Sequence, residues 1–290
     1  MSGQKIGIVA ECVCDLPKSM LNDLNIQIVY FLIKTESGVF ADTNEITADN
    51  IWEYMQVSGK CPVSSAPSPE VYQDIFTESL KKYDEVILVA ISSGISASCD
   101  NAKKAICNMG KDGEKVHIFD SGHLSTGLGY LVIKAAQMAA DGETAEKILN
   151  ELSELKNRIS TTFVVDSVDC LYRNKKISER VKKICDRFHL HPVLVMKNGV
   201  LTLKSVLFGN YEKVCVRYLV RELKCPEKID RTRLFLTHAG CSTKKIEILK
   251  EEIMKRCQTE ELIVTEASAT VSSNCGPNAF GVLFVKTKEN

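Results

Sequence analysis

Apolar residues come in two rhythms along this chain. Residues 86–91 (Val-Ile-Leu-Val-Ala-Ile) form an unbroken apolar run, mostly branched, of the kind that fills a strand buried on both faces. The run stops at Ser92-Ser93-Gly94, which is turn chemistry. From Ser96 the spacing turns helical, with Ala97, Ala102, Ala105, Ile106 and Met109 in phase. Other apolar runs predict strands over 5–10, 26–33, 116–119, 163–165, 233–237, 262–267 and 281–285. Helical periodicity behind Ser, Thr, Asp or Pro starts predicts helices from 15 through 24, over 49–56, from 68 through 82, and over 129–140, 145–158, 168–172, 211–223 and 244–256. A further helix carries Arg180, Lys182 and Lys183. Residues 193–196 and 200–207 flank Lys197-Asn198-Gly199, the turn of a hairpin.

Strands alternate with helices as far as about Thr162, which predicts a parallel sheet wrapped by helices. Beyond it the hairpin and a second βαβ-like order predict a mixed α+β region. The expected fold is α/β with two domains: residues 1–162 around a parallel sheet flanked by helices, and residues 163–290 as a smaller α+β domain. Two proline-marked stretches, 61–69 and 271–281, are expected to be shaped loops.

Length and charge narrow the function classes. A chain of 290 residues with 44% hydrophobic content can build two cores. Lys+Arg and Asp+Glu are 37 each, so no overall field favours nucleic acid or an acidic membrane surface. The basic stretch 173–183 holds six basic residues and one acid, Glu179, and is either a solvated face or a docking surface for a partner. Twelve cysteines are scattered through apolar runs without a CxxC, which argues for reduced thiols in a cytoplasmic protein and against a zinc site. No secretory signal and no membrane span are expected, and no cofactor.

The chemistry concentrates where the 86–91 strand ends. A strand, a Ser/Gly turn and a helix start leave the first helical amides without partners inside the helix, beside the hydroxyls of Ser93 and Ser96. Such a cup suits a carboxylate or a phosphate. Gly94-Ile95-Ser96-Ala97-Ser98 half-matches a nucleophile elbow but lacks the closing glycine, and no histidine sits in a recognisable catalytic setting. Gly127 and Gly129 make a GxG too incomplete for a dinucleotide signature, and more simply let a helix pack closely. No catalytic residue is assigned. A small acyl- or phosphate-processing enzyme using Ser96 is the alternative to a binding protein.

Taken together, several stretches resemble the DegV family, fatty-acid-binding proteins that include the acyl-carrying subunit of bacterial fatty acid kinase. Lys-Ile-Gly-Ile-Val-Ala-Glu-Cys-Val-Cys-Asp-Leu-Pro at 5–17 resembles the family's opening strand and its Thr-Asp-Ser-Thr-x-Asp-Leu-Pro. Ser64-Ser65-Ala66-Pro67-Ser68-Pro69 resembles its Thr-Ser-Gln-Pro-Ser-Pro loop, residues 91–97 its Ser-Ser turn, Phe119-Asp120-Ser121 its Asp-Ser segment, and 273–280 its closing Thr-His-x-Gly-Pro-Gly loop. The resemblance implies one long-chain fatty acid in a tunnel between two domains, with its carboxylate held by Ser64 and Ser96 and with Ser93 beside them. It also implies a fatty acid kinase subunit as a partner. The family's loop histidine corresponds to Asn274. Further departures are Ala10 and Glu11 for Thr-Asp, Cys12 for Ser, Ala66 for Gln, Asn174-Lys175-Lys176 for Gly-Gly-Arg, and His191 for the Lys before Pro192. These changes cluster at the polar end of the implied site and in the loop implied to meet a partner.

Overall fold

The computed structural model describes residues 5–175 and 177–288. In chain order its elements are β1 (Ile6–Glu11), α1 (Lys18–Asp23), β2 (Gln27–Val29), β3 (Leu32–Thr35), β4 (Gly38–Ala41), α2 (Ala48–Ser58), β5 (Val63–Ser65) and α3 (Pro69–Leu80). There follow β6 (Glu85–Ala90), α4 (Ser98–Asn108), β7 (Val116–Asp120), α5 (Ser125–Ala140), α6 (Ala145–Leu155), β8 (Ile159–Val164), α7 (Asp169–Arg173) and α8 (Glu179–Arg187). The chain closes with β9 (Leu190–Lys197), β10 (Val200–Phe208), α9 (Tyr211–Glu222), β11 (Ile229–His238), α10 (Thr243–Arg256), β12 (Glu261–Glu266), α11 (Ala269–Cys275) and β13 (Phe280–Lys286).

These elements gather into two compact units. One takes the chain up to Leu32, Ser65–Asn157 and the hairpin tip Lys197–Val200. The other takes Ile33–Ser64, Arg158–Met196 and the chain from Leu201 onward. The expected single boundary near residue 162 lies close to the Asn157–Arg158 crossing, but the grouping is discontinuous. Ile33–Ser64 belongs with the later part of the chain, because Ile33, Ile46 and Ile51 bury themselves against Ala269 rather than against the early strands.

The first unit is built on the parallel sheet β2-β1-β6-β7. Val9 stands opposite Leu88, and Leu88 opposite Ile118. Every residue of β1 is buried, as an apolar strand covered on both faces requires. Tyr72 and Phe76 of α3 and Cys99, Ala102 and Ala105 of α4 pack with Val9, Val86 and Leu88. Helix α5 lies against β1 and β6. Gly129 lets the helix close on the Cys14–Leu16 stretch that follows β1: a Cβ there would stand 2.9 Å from the Cys14 carbonyl oxygen.

The second unit is built on the mixed sheet β10-β9-β8-β13-β11-β12. β13 runs antiparallel to both β8 and β11, and β12 is parallel to β11. Tyr218 and Leu219 of α9 and Leu249 and Ile253 of α10 fill one core with Leu234, Leu236 and Val282. A separate small sheet, β4-β3-β5, belongs to the Ile33–Ser64 excursion. The hairpin turn is as expected: Asn198 and Gly199 have φ of 51° and 77°, the left-handed pair that a two-residue turn demands.

Three local expectations need correction. Residues 26–33 are not one strand. β2 pairs with β1, then the Phe31 N–H leaves the ladder for Cys12 Sγ at 3.3 Å, and β3 starts in another sheet. Neither proline-marked stretch is wholly loop: β5 takes Val63–Ser65 of the first, and α11 the first part of the second. Helix α4 starts at Ser98 rather than Ser96, with Ala97 as its N-cap residue.

Candidate functional site

The turn after β6 carries the chemistry that the sequence points to. Ser92 is buried and gives its hydroxyl proton to the Gly199 carbonyl at 2.5 Å, within the first unit. A Cβ on Gly94 would fall 2.4 Å from that same carbonyl oxygen, so only glycine fits there. Ser93 and Ser96, three residues apart on this turn, have different bonding. Ser93 Oγ donates to Asp120 Oδ2, and the Ser93 N–H donates to Asp120 Oδ1 at 3.3 Å. Ser96 is half-buried, and its Oγ accepts from the Ser98 N–H at 3.2 Å. Accepting leaves the Ser96 proton available, and among the described residues it meets no acceptor. The next amides of α4 have no partner within the helix.

Behind this turn sits a buried carboxylate, Glu11, at the carboxyl end of β1. It accepts from Tyr72 Oη, from Ser98 Oγ and from the Ile91 N–H, the last at 2.7 Å. Burial raises its pKa above the usual carboxylate value, against the pull of those three donors. Tyr72 is pushed up as well, by burial first and then by the neighbouring Glu11 charge. Asp120, at the end of β7, is satisfied by Ser93 and by the Gly122 N–H at 2.9 Å. Both acids are therefore occupied internally. Sequence reasoning noted Glu11 as a departure and Asp120 as part of a motif, but no local pattern tells which donors each acid collects.

The second unit holds the other two candidates. Ser64 is the middle residue of β5 and is half-buried; its hydroxyl takes no hydrogen bond among the described residues. Asn274 lies in α11. Its Nδ2 donates to the Thr270 carbonyl at 2.8 Å, and its Oδ1 accepts from Asn174 Nδ2 at 3.4 Å. Asn174 also donates to the Ser273 carbonyl at 2.9 Å. Asn174 and Asn274, two of the family departures, thus answer each other.

Helix α11 exists because of distant residues rather than propensity. Ala-Thr-Val-Ser-Ser-Asn-Cys is a poor helix sequence. Ser268 Oγ caps the Val271 N–H at 3.4 Å, and the fully buried Asp42 carboxylate takes the Ala269 and Thr270 N–H groups, each at 2.8 Å. Burial raises the pKa of Asp42 too.

The remaining expectations place simply. His191 is buried on β9 with its ring nitrogens at 2.8 and 3.1 Å from the Asp166 and Gly209 carbonyls. In the basic stretch, Lys182 pairs with Asp169 and Asp186, and Lys183 with Glu179; Lys176 lies outside the described residues. Such surface pairs are worth little individually. Among the described residues no cluster of three or more His, Cys, Asp or Glu is placed to hold a metal, and no helix is long and apolar enough to cross a membrane.

Known proteins match this architecture from end to end. A DegV domain-containing protein of Caldanaerobacter subterraneus subsp. tengcongensis is 29% identical over 97% of this chain and 99% of its own length. Among solved structures, a DegV family protein from Thermus thermophilus described for fatty acid binding superposes with a TM-score of 0.87 at 24% identity, over 98% of this chain and 100% of that one. One from Eubacterium eligens loaded with heptadecanoic acid superposes at 0.81 and 18% identity, with the same coverage of both chains. The family model described as an uncharacterised protein of the DegV family matches residues 5–287, and the chain belongs to the DegV family.

Proposed function

We propose that this chain binds a long-chain fatty acid and carries it to an acyl-processing partner, without catalysis of its own. Ser96 and Ser64 are the proposed hydroxyl donors to the carboxylate, Asn274 a neutral amide near it, and Ser93 a supporting residue. The observation that carries the reading is the Ser96 hydroxyl: half-buried, its lone pair taken by Ser98 and its proton uncommitted, beside the open amides of α4. Relatives described as binding fatty acids, one of them loaded with heptadecanoic acid, supply the ligand class.

The energetics suit a neutral grip. Burying an alkyl tail is worth about 0.8 kcal/mol per methylene, on the order of 11 kcal/mol for about fourteen of them. Loss of chain and rigid-body freedom removes much of that gain. The head group then has only to keep its hydrogen bonds, since an unpaired carboxylate taken from water is prohibitive. Hydroxyls and helix amides can do this without a formal cation. The proposed setting is the cytoplasm, where the twelve free thiols would stay reduced. The proposed partner is a fatty acid kinase subunit.

Mass spectrometry of the denatured, purified protein tests the reading. A co-purifying fatty acid, or uptake of one on incubation, is expected. Neither being seen would overturn it.

A further inference from the structure

The two oxygens of Glu11 reach opposite ends of one turn. Oε2 accepts the Ile91 N–H at 2.7 Å, at the residue where the chain leaves β6. Oε1 accepts the Ser98 hydroxyl, at the first residue of α4. Between those two points lies the whole turn that carries Ser96. Tyr72 Oη braces the same junction, donating to Glu11 Oε1 and lying 3.1 Å from Ser98 Oγ. Glu11, Tyr72 and Ser98 are fully buried and belong to the first unit, as does Ser96. From Ser98 the bonding continues outward, since its N–H donates to Ser96 Oγ at 3.2 Å. The backbone bond inside the turn, from the Ile95 N–H to the Ser92 carbonyl at 3.1 Å, stops short of Ser96. Ser96 therefore takes its direction from the Ser98 end, and the Ser98 end is held by Glu11.

We propose, resting on the fatty acid reading above, that Glu11 and Ser98 are positioning residues for the carboxylate grip. Glu11 fixes the span from Ile91 to Ser98, and the Ser98 N–H, held in place by that clamp, sets the direction in which Ser96 offers its proton. A carboxylate suits the task because both of its oxygens accept, and all of its partners here are donors. Hydrogen bonds to an ionised acceptor are also the stronger kind. A turn fixed in advance at both ends spends none of the ligand's binding energy on its own ordering. Loosening the Ser98 end should therefore cost affinity through Ser96, at the head group, and not through the alkyl tail.

The experiment titrates the full chain, stripped of lipid, with hexadecanoic acid. It compares the natural protein, Ser98→Ala, Ser96→Ala and the double variant. Ser98→Ala keeps the Ser98 N–H but cuts the start of α4 loose from Glu11. It is expected to weaken binding about tenfold. Where Ser96 is already alanine, the same change should cost less than about twofold. The carboxyl NMR shift of carboxyl-labelled hexadecanoic acid bound to Ser98→Ala should move toward that of the Ser96→Ala complex, which a general loss of stability would not produce. Should S98A not fold, Ser98→Cys takes its place, because a thiol is a weak donor. Losses that multiply in the double variant would overturn the proposal, as would a carboxyl shift left at its natural position. Unchanged affinity in Ser98→Ala beside a loss in Ser96→Ala would overturn it and leave the fatty acid reading standing. Unchanged affinity in Ser96→Ala would remove the residue through which the clamp acts. No binding by the natural protein would overturn both.

Discussion

Ser93 gives its hydroxyl proton to Asp120 across the ends of neighbouring parallel strands, where Ala90 is paired with Asp120. A hydroxyl has one proton, so Ser93 cannot also donate to a bound carboxylate while that contact stands. Ser96, on the same turn, has its proton free. The two serines should therefore differ. Ser96→Ala is expected to weaken fatty acid binding by about 1–3 kcal/mol, the value of a hydrogen bond to a charged group. Ser93→Ala should cost much less. Titration with a fluorescent fatty acid reads both, and equal losses would refute the ordering.

At Asn274 the expectation concerns pH. The amide donates to Thr270 and accepts from Asn174, and carries no charge at any ordinary pH. This position therefore contributes no pH dependence to ligand binding. Asn274→His should introduce one, with tighter binding as pH falls through about 8 to 5. Affinity of the natural protein that followed a single titration near neutrality would contradict this, as would a flat profile in the variant.

Glu11 predicts a pH trend in stability. Its carboxyl holds a proton more tightly in the folded chain than in the unfolded one. Between the ordinary glutamate value of 4.5 and the raised value, the folded state binds more protons, so stability from this group falls as pH rises and then levels off. Glu11→Gln cannot titrate, and its amide nitrogen would face one of the three donors. The variant should be less stable by about 1–3 kcal/mol at the acidic end, with the gap narrowing as pH increases. Urea unfolding across pH measures this; a gap that widens would be the wrong sign.

Much of this architecture is legible from the chain itself. The apolar run 86–91 reads as a doubly covered strand, and the strand found there is Glu85–Ala90; Asn198-Gly199 reads as a tight turn and is one. What escaped the sequence was decided by distant contacts. Nothing near Tyr30 and Phe31 says that the chain changes sheets there; the Cys12 sulfur decides it. The β3–β4 pair is short and partly exposed, with no strong alternation to betray it. Helix α11 is invisible to propensity because the acid that holds its first turn, Asp42, is remote in sequence. That Ser93 and Ser96 share one turn was legible, but which proton is free depends on Asp120 and Ser98.

Gly129 gives a packing prediction. In a helix interior alanine would normally be favoured over glycine by about 1 kcal/mol. Here the added methyl would meet the Cys14 carbonyl at 2.9 Å and Leu16 Cδ2 at 2.8 Å. Overpacking costs about 1–3 kcal/mol and should win, so Gly129→Ala is expected to lower the melting temperature. A rise would mean that α5 can move off the Cys14–Leu16 stretch freely.

The Asp42 carboxylate ties a residue to a helix that begins 227 positions later in the chain. A ribosome-bound chain has no α11 for that acid to grip until those later residues emerge, so Asp42 stays without its helix partners until then. A cut in the gene at the Asn157–Arg158 crossing would part the two: the leading fragment would carry Ile33, Ile46 and Ile51 without Ala269 to cover them, and the trailing fragment would lack the anion that holds the first turn of α11.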